Sequence, residues 1–258
     1  MSVVTQDVVN VALSRLKQGV PRKYRYLVRG AVMGIVSPFF TGTAVECPCC
    51  EKTSRRWLLL DEHDPVCPHC SSAPRQRLLA LYLKERTPIF GSRLRMVHFA
   101  AEYCLMRRFA RLPNLDYVAA DLDPPRGAIR LDLTAIDLPT DSVDMVICSH
   151  VLEHVVEDRV AMRELRRIIR PDGQALIMVP VDRRRAVTYE DPSIATPAAR
   201  LAAFDQADHV RIYGRDFSER LHSAGFAVER YTGAQFAPWA QHRCGLPEND
   251  AEAVYVCT

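Results

Sequence analysis

Four cysteines in two closely spaced pairs are the side chains most clearly arranged for chemistry. Cys47 and Cys50 form one C-x-x-C pair, and Cys67 and Cys70 form a second pair after sixteen intervening residues. Four thiolates on two tight turns can surround one zinc ion at ~2.3 Å, and this spacing is typical of zinc ribbons. Because four protein ligands leave no open position for water or substrate, we expect a structural zinc ion rather than a catalytic one.

Three neighbouring side chains, Cys49, His63 and His69, are alternative metal ligands, but two matched cysteine pairs are the simpler set. Between the pairs, residues 57–60 predict a short apolar strand and residues 61–65 a turn. A module this small has little core of its own, so a bound metal ion would supply much of its folding energy.

A long polar segment, residues 182–214, also carries many reactive side chains, among them Glu190 and His209. Connections of this length inside a compact domain are usually lids or binding loops, so we expect the segment to line a ligand pocket. Earlier in the chain, His150 and His154 lie four positions apart and would share one face of a helix. A metal pair is conceivable there, but the neighbouring sequence offers no obvious third ligand.

The elements that must position these groups alternate between strands and helices. Apolar runs at 94–99, 117–120, 145–148 and 175–179 predict strands, separated by helical or loop segments. This alternation predicts a parallel sheet covered on both faces. Helices are predicted over 74–86, with Ser71 or Ser72 as its cap, and over 158–169, where the Pro-Asp-Gly at 171–173 ends the helix and turns the chain into the next strand.

Ligands of such sheets bind beyond the carboxyl ends of the strands, so the residues that follow each strand are the candidates. After the first strand comes Ala-Ala-Glu at 100–102, where a nucleotide-binding turn normally uses glycine. After the second strand, Asp121 stands 22 positions beyond Phe99, the spacing of a carboxylate that binds ribose hydroxyls. Asp123 is the competing choice.

From residue 94 to about 181 the chain resembles the class I S-adenosylmethionine-dependent methyltransferases of type 11. Residues 141–155 look like the fourth-strand motif of that family, and residues 162–174 are similar to its next helix and turn. The likeness narrows to bacterial members with a cysteine knuckle and a His-Phe-Ala-x-Glu turn, here residues 98–102. It implies an α/β, Rossmann-like seven-stranded sheet whose last strand, here 253–257, runs antiparallel.

The resemblance also implies S-adenosylmethionine as cofactor and assigns the residues that hold it. Asp121 would bind the ribose, Asp132 and Leu133 would lie beside the adenine, Ser149 and His150 would lie near the methionine portion, and Ala100 and Glu102 would replace the glycine-rich first motif.

Methyl transfer to a hydroxyl requires alignment of the acceptor and removal of its proton. His209 is the first choice of general base, because histidine titrates near neutral pH, and His154 and Glu190 are the alternatives. A structural role for His209, bridging the segment 182–214 to the sheet, fits the sequence equally well.

Three functions compete. The carboxylates and aromatic side chains of residues 182–214 favour methylation of a hydroxyl on a sugar, glycan or other small molecule. An RNA methyltransferase that grips its substrate with the zinc ribbon is the second, and a non-catalytic scaffold is the third. RNA is not favoured, because residues 47–70 carry three basic side chains against four acidic ones, whereas phosphate contacts need clustered Lys and Arg.

The composition and the net charge limit the class of protein to which the chain can belong. Hydrophobic residues make up 48% and charged residues 25% of the 258, as in ordinary globular proteins, and the net charge is +3. No apolar run approaches the ~18–20 residues of a membrane span, and the first twenty residues lack a signal-peptide pattern, so we expect a cytoplasmic protein. We predict a basic helical arm over 1–46, a zinc ribbon with linker helix over 47–90, and a methyltransferase domain over 91–258.

Overall fold

The computed structural model describes residues 22–59, 65–124, 127–247 and 250–258. The helices are α1 (Arg22–Val36), α2 (Pro74–Arg86), α3 (Tyr103–Phe109), α4 (Asp158–Ile168), α5 (Pro197–Phe204), α6 (Phe217–Ser223) and α7 (Pro238–Cys244). The strands are β1 (Val45–Glu46), β2 (Thr53–Ser54), β3 (Leu58–Leu59), β4 (Pro65–Val66), β5 (Leu94–Phe99), β6 (Leu115–Asp121), β7 (Ile129–Arg130), β8 (Val143–Ser149), β9 (Ile169–Met178), β10 (Tyr189–Glu190), β11 (Arg211–Ile212), β12 (Val228–Tyr231) and β13 (Val254–Cys257).

Some of the predicted features lie outside the described residues. They are the first 21 residues of the basic arm, the end of the strand predicted over 57–60, most of the turn predicted over 61–65, and the alternative ligand His63. Within the described residues, no helix is long and apolar enough to cross a membrane.

The chain divides into two compact units. The first comprises Met1–Phe90, Glu102–Leu112 and Gly233–Glu248, and the second comprises Gly91–Ala101, Pro113–Thr232 and Asn249–Thr258. These units differ from the three consecutive segments expected from the sequence, because two later stretches of chain join the N-terminal one.

The second unit is built on one seven-stranded sheet with the strand order β12-β13-β9-β8-β5-β6-β7. Strands β9, β8, β5, β6 and β7 pair in parallel, and β13 is antiparallel to both of its neighbours. The predicted fold class, an α/β Rossmann-like sheet of seven strands with the last one antiparallel, is therefore confirmed. Helix α4 covers the sheet with Ala161, Met162, Leu165 and Ile168, all fully buried.

Strand β9 begins earlier than the sequence indicated. Helix α4 ends at Ile168 and β9 starts at the next residue, so the Pro-Asp-Gly of 171–173 lies within the strand instead of before it. Val143 of β8 pairs with Ile169 of β9, and the next pair is Met145 with Gln174. The four residues of β9 between these pairs therefore lie opposite a single residue of β8, Asp144. Such an irregularity tolerates Pro and Gly, whereas regular pairing does not.

The first unit has a small core in which α1 packs on the cysteine module. The buried apolar side chains are Met33, Val36, Phe40, Leu58, Val66 and Ala73. The described part of the basic arm thus buries its apolar face against the cysteine module.

Helix α2 spans the predicted residues, but neither Ser71 nor Ser72 caps it. Its N-cap is Ala73, whose backbone N–H donates to the side-chain oxygen of Gln76 (2.6 Å). One turn into the helix, the Arg77 side chain is completely buried. It donates to the carbonyl oxygens of Ser72 (2.6 Å), Pro65 (3.0 Å), Cys244 (2.7 Å) and Gly245 (2.6 Å), and it lies over the ring of Trp57.

Replacement of Arg77 by Lys should therefore destabilise the protein. A lysine cannot reproduce the planar fork of donors, so several buried carbonyl oxygens lose their partner, at a cost of about 1–3 kcal/mol each. We expect the melting temperature to fall by at least about 5 °C in thermal denaturation, whereas Arg86→Lys, at an exposed position of the same helix, should leave it nearly unchanged. Equal melting temperatures for the two variants would contradict the role assigned to Arg77.

Candidate functional site

Three of the predicted cofactor residues lie at the carboxyl ends of neighbouring strands of the second unit. Phe99, the last residue of β5, pairs with Ala120 on one side and with Cys148 on the other. Ala100, Asp121 and Ser149, each one position further along its strand, therefore meet at one edge of the sheet. This is the edge at which parallel α/β sheets bind ligands.

The backbone after β5 and after β8 is left-handed. Ala100 has φ +47° and His150 has φ +54°, a region that non-glycine residues rarely adopt. The Ala100 N–H donates to the carbonyl oxygen of Ala120 (2.8 Å). The first turn thus keeps the conformation for which glycine is usually selected, although the sequence has alanine there.

The two candidate aspartates each close a local turn. One carboxylate oxygen of Asp121 accepts from the backbone N–H of Asp123 (3.0 Å). Asp132 is exposed, and its carboxylate accepts from the backbone N–H (2.8 Å) and the hydroxyl (2.7 Å) of Thr134, contacts that hold the pKa of Asp132 below its usual value. Leu133, expected beside the adenine, is buried in the hydrophobic core of the second unit.

Ser149 and Glu102 have contrasting environments. The Ser149 hydroxyl is buried and has no hydrogen-bond partner among the described residues. Glu102 belongs to the first unit, where it is the N-cap residue of α3 and its carbonyl oxygen accepts from the N–H groups of Leu105 and Met106.

The segment after β8 is not the α-helix that would align His150 with His154. It forms a 3-10 turn over Leu152–His154. The His150 ring lies between two carboxylates, with Nδ1 3.4 Å from Glu153 and Nε2 3.2 Å from Glu252. The two histidines therefore have different partners.

His154 instead joins His209 and Glu153. One ligand atom of each side chain lies within 4.8 Å of the others, and the two imidazole rings meet edge-on with centroids 4.7 Å apart. We call these three residues the Glu153 cluster. The backbone N–H of Val210 donates to the carbonyl oxygen of Glu153 (3.0 Å), which holds the two chain segments together. Burial, with His154 nearby, lowers the pKa of His209.

Sequence reasoning overlooked Glu153. The residue stands directly between Leu152 and His154, within the motif at 141–155, and the sequence predicts no separate role for it. Its side chain is only 2% exposed, and its Oε2 atom has no hydrogen-bond partner among the described residues. A carboxylate inside an otherwise apolar run after a buried strand was the available indication.

Glu190, predicted as an alternative base, has a structural environment instead. Its carboxylate forms ion pairs with Arg211 (2.8 Å) and Arg220 (2.8 Å). Although burial acts against ionisation, these two arginines lower the pKa of Glu190 to about 2. A carboxylate this acidic and this fully paired is a poor proton acceptor near neutral pH, which argues against Glu190 as the base.

The same arginines connect the segment 182–214 to the rest of the second unit. Arg211 is buried and donates to the carbonyl oxygens of Leu152, Val155 and Val156. Arg220 pairs with the buried Asp158 (3.1 Å), which also accepts from the Tyr213 hydroxyl (2.9 Å). β10 and β11 are thereby fixed beside the turn that carries the Glu153 cluster.

The four predicted metal ligands converge in the first unit. The sulfur atoms of Cys47, Cys50, Cys67 and Cys70 all lie within 4.8 Å of one another, with 3.6 Å between Cys47 and Cys70 and 3.7 Å between Cys50 and Cys67. Tetrahedral zinc with ligands at ~2.3 Å requires sulfur–sulfur distances of about 3.8 Å. The alternative ligands Cys49 and His69 contact the carbonyl oxygens of Gln76 and Thr53 instead.

Comparison with known proteins finds similarity over a region that includes Asp121 and Ser149. A family model described as "Methyltransferase domain" matches residues 101–177. Residues 101–177 are thus similar to a methyltransferase domain. A Mycolicibacterium smegmatis protein named "Probable S-adenosylmethionine-dependent methyltransferase" is 33% identical over 148 residues, which cover 55% of this chain and 51% of that protein.

Two further proteins are similar to this chain. A Streptomyces fradiae protein, the uncharacterized 37.1 kDa protein in transposon TN4556, is 28% identical over 97 residues, covering 38% of this chain and 28% of that protein. The chain thus spans about half or less of the curated relatives it matches. A solved S-adenosylmethionine-dependent methyltransferase from Mesorhizobium loti has 19% identity and a TM-score of 0.47, over 69% of this chain and 97% of that chain.

The ion pairs of Glu190 predict a pH-dependent contribution to stability. Because the folded pKa lies below the ordinary ~4.3 of glutamate, the contribution is present above that value and is lost as the pH falls towards about 2. Glu190→Gln should lower the free energy of unfolding by on the order of 1 kcal/mol at pH 7, a modest effect because solvent screens the partly exposed carboxylate.

Thermal melts of wild type and Glu190→Gln between pH 7 and pH 3 measure this difference, with Glu219→Gln, at an exposed position, as the matched control. The gap between wild type and Glu190→Gln should narrow as the pH falls below about 5. A gap that stays constant across this range would mean that the ion pairs do not stabilise the fold.

Proposed function

We propose that the protein transfers a methyl group from S-adenosylmethionine to a hydroxyl of a sugar, glycan or other small molecule. The proposal rests on the position of three residues, Ala100, Asp121 and Ser149. They lie together at the carboxyl edge of the seven-stranded sheet of the second unit. The family match over residues 101–177 supports the transferase class, and the acceptor is inferred from the chemistry of the neighbouring side chains.

The residues at this edge fit the cofactor. The buried Ser149 hydroxyl lacks a partner among the described residues, so it has hydrogen-bonding capacity to offer to a ligand. Asp121 presents a carboxylate suited to ribose hydroxyls, and the small side chain of Ala100 allows close approach of the backbone. When bound, the cofactor supplies an electrophilic methyl group on a sulfonium sulfur.

The acceptor's proton is assigned to the Glu153 cluster. His209 is buried and has a lowered pKa, so its imidazole is neutral near pH 7 and has a lone pair for a proton. His154 is the second imidazole of the cluster. In the metal-free protein we propose His209 as the general base, and its position in the segment 182–214 supports the assignment of that segment to the acceptor pocket.

We also propose that Cys47, Cys50, Cys67 and Cys70 bind one structural zinc ion. A tetrathiolate zinc site carries a net charge of −2, and a nearby cation would offset it. Arg77 fits this role, because its hydrogen bonds go to neutral carbonyl oxygens while three of the four proposed ligands, Cys47, Cys67 and Cys70, interact with its charge. The zinc ion would hold the two knuckles together and leave no position for substrate.

The zinc assignment predicts that Cys67→Ser loses about one zinc ion per chain relative to wild type and destabilises the first unit, because the metal supplies folding energy there. Elemental analysis and thermal melts are the measurements. Cys49→Ser, at the buried cysteine of the first knuckle that is not a proposed ligand, is the control, and it should keep the wild-type zinc content. If both variants lost zinc to the same extent, the proposed set of four ligands would be wrong.

The cofactor assignment predicts that wild type binds S-adenosylmethionine and its demethylated product in isothermal titration. Asp121→Ala removes a charge-assisted hydrogen bond of about 1.5–3 kcal/mol and should weaken binding roughly 10- to 100-fold. Asp123→Ala is the control, because Asp123 contacts Asp121 through its backbone N–H. Wild type that binds neither compound would refute the proposed function.

The acceptor class has its own test. Transfer of a radiolabelled methyl group from the cofactor should be seen with a panel of polyols, sugars and glycans, and should not be seen with total RNA. Salt-sensitive labelling of RNA in place of the hydroxyl panel would overturn the acceptor assignment and leave the cofactor assignment intact.

A further inference from the structure

The Glu153 cluster has the composition of a metal site. It combines two imidazoles, His154 and His209, with one carboxylate, and its three ligand atoms lie within 4.8 Å of one another. Two nitrogen ligands and one oxygen ligand suit divalent first-row transition metals, and three protein ligands leave positions open for other oxygens. The arrangement therefore differs in kind from the closed four-thiol set of the first unit.

The buried carboxylate of Glu153 is the independent observation that points to a ligand. Its side chain is 2% exposed, one oxygen lies 3.4 Å from His150, and the other, Oε2, has no hydrogen-bond partner among the described residues. A buried ionised oxygen without a partner is costly, because desolvation of the charge is not compensated. A cation bound between this carboxylate and the two imidazoles would remove that cost.

The surroundings of the cluster resemble the outer shell of a metal site. Nδ1 of His154 lies 3.2 Å from the carbonyl oxygen of Asp208 and 3.5 Å from its carboxylate. Donation from Nδ1 to these oxygens leaves Nε2 as the nitrogen that can bind a cation, which is how metal-bound histidines are commonly oriented. The hydrogen bond from the Val210 N–H to the Glu153 carbonyl fixes the spacing of the cluster.

The charge balance around the cluster also favours a cation. The carboxylates of Glu153 and Glu252 flank His150, and that of Asp208 faces His154. Three carboxylates thus lie against these imidazoles. A divalent cation would bring this group closer to neutrality.

We propose that Glu153, His154 and His209 bind a divalent transition-metal ion whose open positions take the acceptor hydroxyl. This inference deepens the proposed function and rests on it for the acceptor, since a metal-bound hydroxyl loses its proton more readily. The O–H bond breaks and its proton passes to water. The O–CH3 bond then forms as the S–CH3 bond breaks, and the bonding electrons stay on sulfur, which becomes a thioether.

The metal changes the part played by His209. As a ligand, its imidazole no longer accepts the proton, and the ion lowers the pKa of the hydroxyl in its place. Two open positions on one ion would favour acceptors with neighbouring oxygens, such as vicinal diols. This preference matches the sugar and glycan class proposed above.

Titration of the 258-residue chain with Mn²⁺, monitored by the loss of the free-ion signal in electron paramagnetic resonance, tests the site directly. Mn²⁺ prefers oxygen and nitrogen ligands, so the four-thiol site does not interfere. We expect wild type to bind about one ion per chain, and Glu153→Gln and His209→Asn each to weaken binding by at least about tenfold. A zinc arm repeats the comparison with free Zn²⁺ near the wild-type dissociation constant of this site, where each variant should hold much less of the second ion than wild type.

Glu157→Gln, in the same loop, and His242→Asn, on α7, are exposed matched controls that should bind like wild type. Circular dichroism checks folding, and His154→Asn provides a third, more exposed ligand position if the Glu153 variant unfolds. Absence of a site in both metal arms, or binding unaffected by the ligand variants, overturns the inference. Titration with S-adenosylmethionine runs in parallel, so that metal failure with intact cofactor binding refutes the metal site alone.

Discussion

The candidate site depends on one buried arginine. Arg211 sits on β11, two residues after His209, and its guanidinium donates to three carbonyl oxygens of the turn that follows β8. Each of these hydrogen bonds joins a charged donor to a carbonyl oxygen, so the arginine and the turn stabilise each other. Because the fork is rigid and planar, it fixes the distance between the two chain segments. His209 therefore lies beside Glu153 as a consequence of backbone contacts made elsewhere.

The same arginine explains why Glu190 is not free for catalysis. Arg211 and Arg220 bring two positive charges into a largely buried region, and Glu190 and Asp158 neutralise them. A buried pair of this kind is costly to disrupt, since removal of one partner leaves an uncompensated charge. Glu190 and His209 are both candidate bases in the sequence. They differ because the Glu190 carboxylate is needed to balance the charge of the two arginines, whereas the His209 imidazole is not.

The sequence was most informative where the determining contacts are local. The continuous apolar run of β8 predicted a strand buried on both faces, and the cysteine spacing predicted the convergence of the four thiols. The long-range contacts were not accessible in this way. Arg77 looks like an ordinary charge on a helix, yet it is completely buried because carbonyl oxygens more than 160 residues later in the chain accept its protons. Glu153 was overlooked because His209, its partner, is distant in the sequence.

The turn after β5 keeps the left-handed backbone conformation of a nucleotide-binding turn, although it has alanine where glycine is usual. Ala100 carries φ +47°, for which a non-glycine residue costs roughly 1–2 kcal/mol. Its N–H bond to Ala120 holds the turn in place against that cost. His150 adopts the same conformation at the end of β8, and the carboxylates of Glu153 and Glu252 hold its ring. Backbone strain at both strand ends is thus offset by contacts within the sheet and its following turn, so conformation is a better guide than glycine content to where this edge binds a ligand.

The carboxylates that surround the histidines also restrict the acceptor. Glu153, Asp208 and Glu252 would repel a phosphate at this position unless a cation lay between them, whereas a neutral hydroxyl meets no such barrier. A bound divalent ion would attract the oxygen lone pairs of a polyol and still leave phosphate exposed to the outer carboxylates. The charge pattern therefore favours an uncharged hydroxylated acceptor over nucleic acid, by an argument independent of the charge count in the cysteine module.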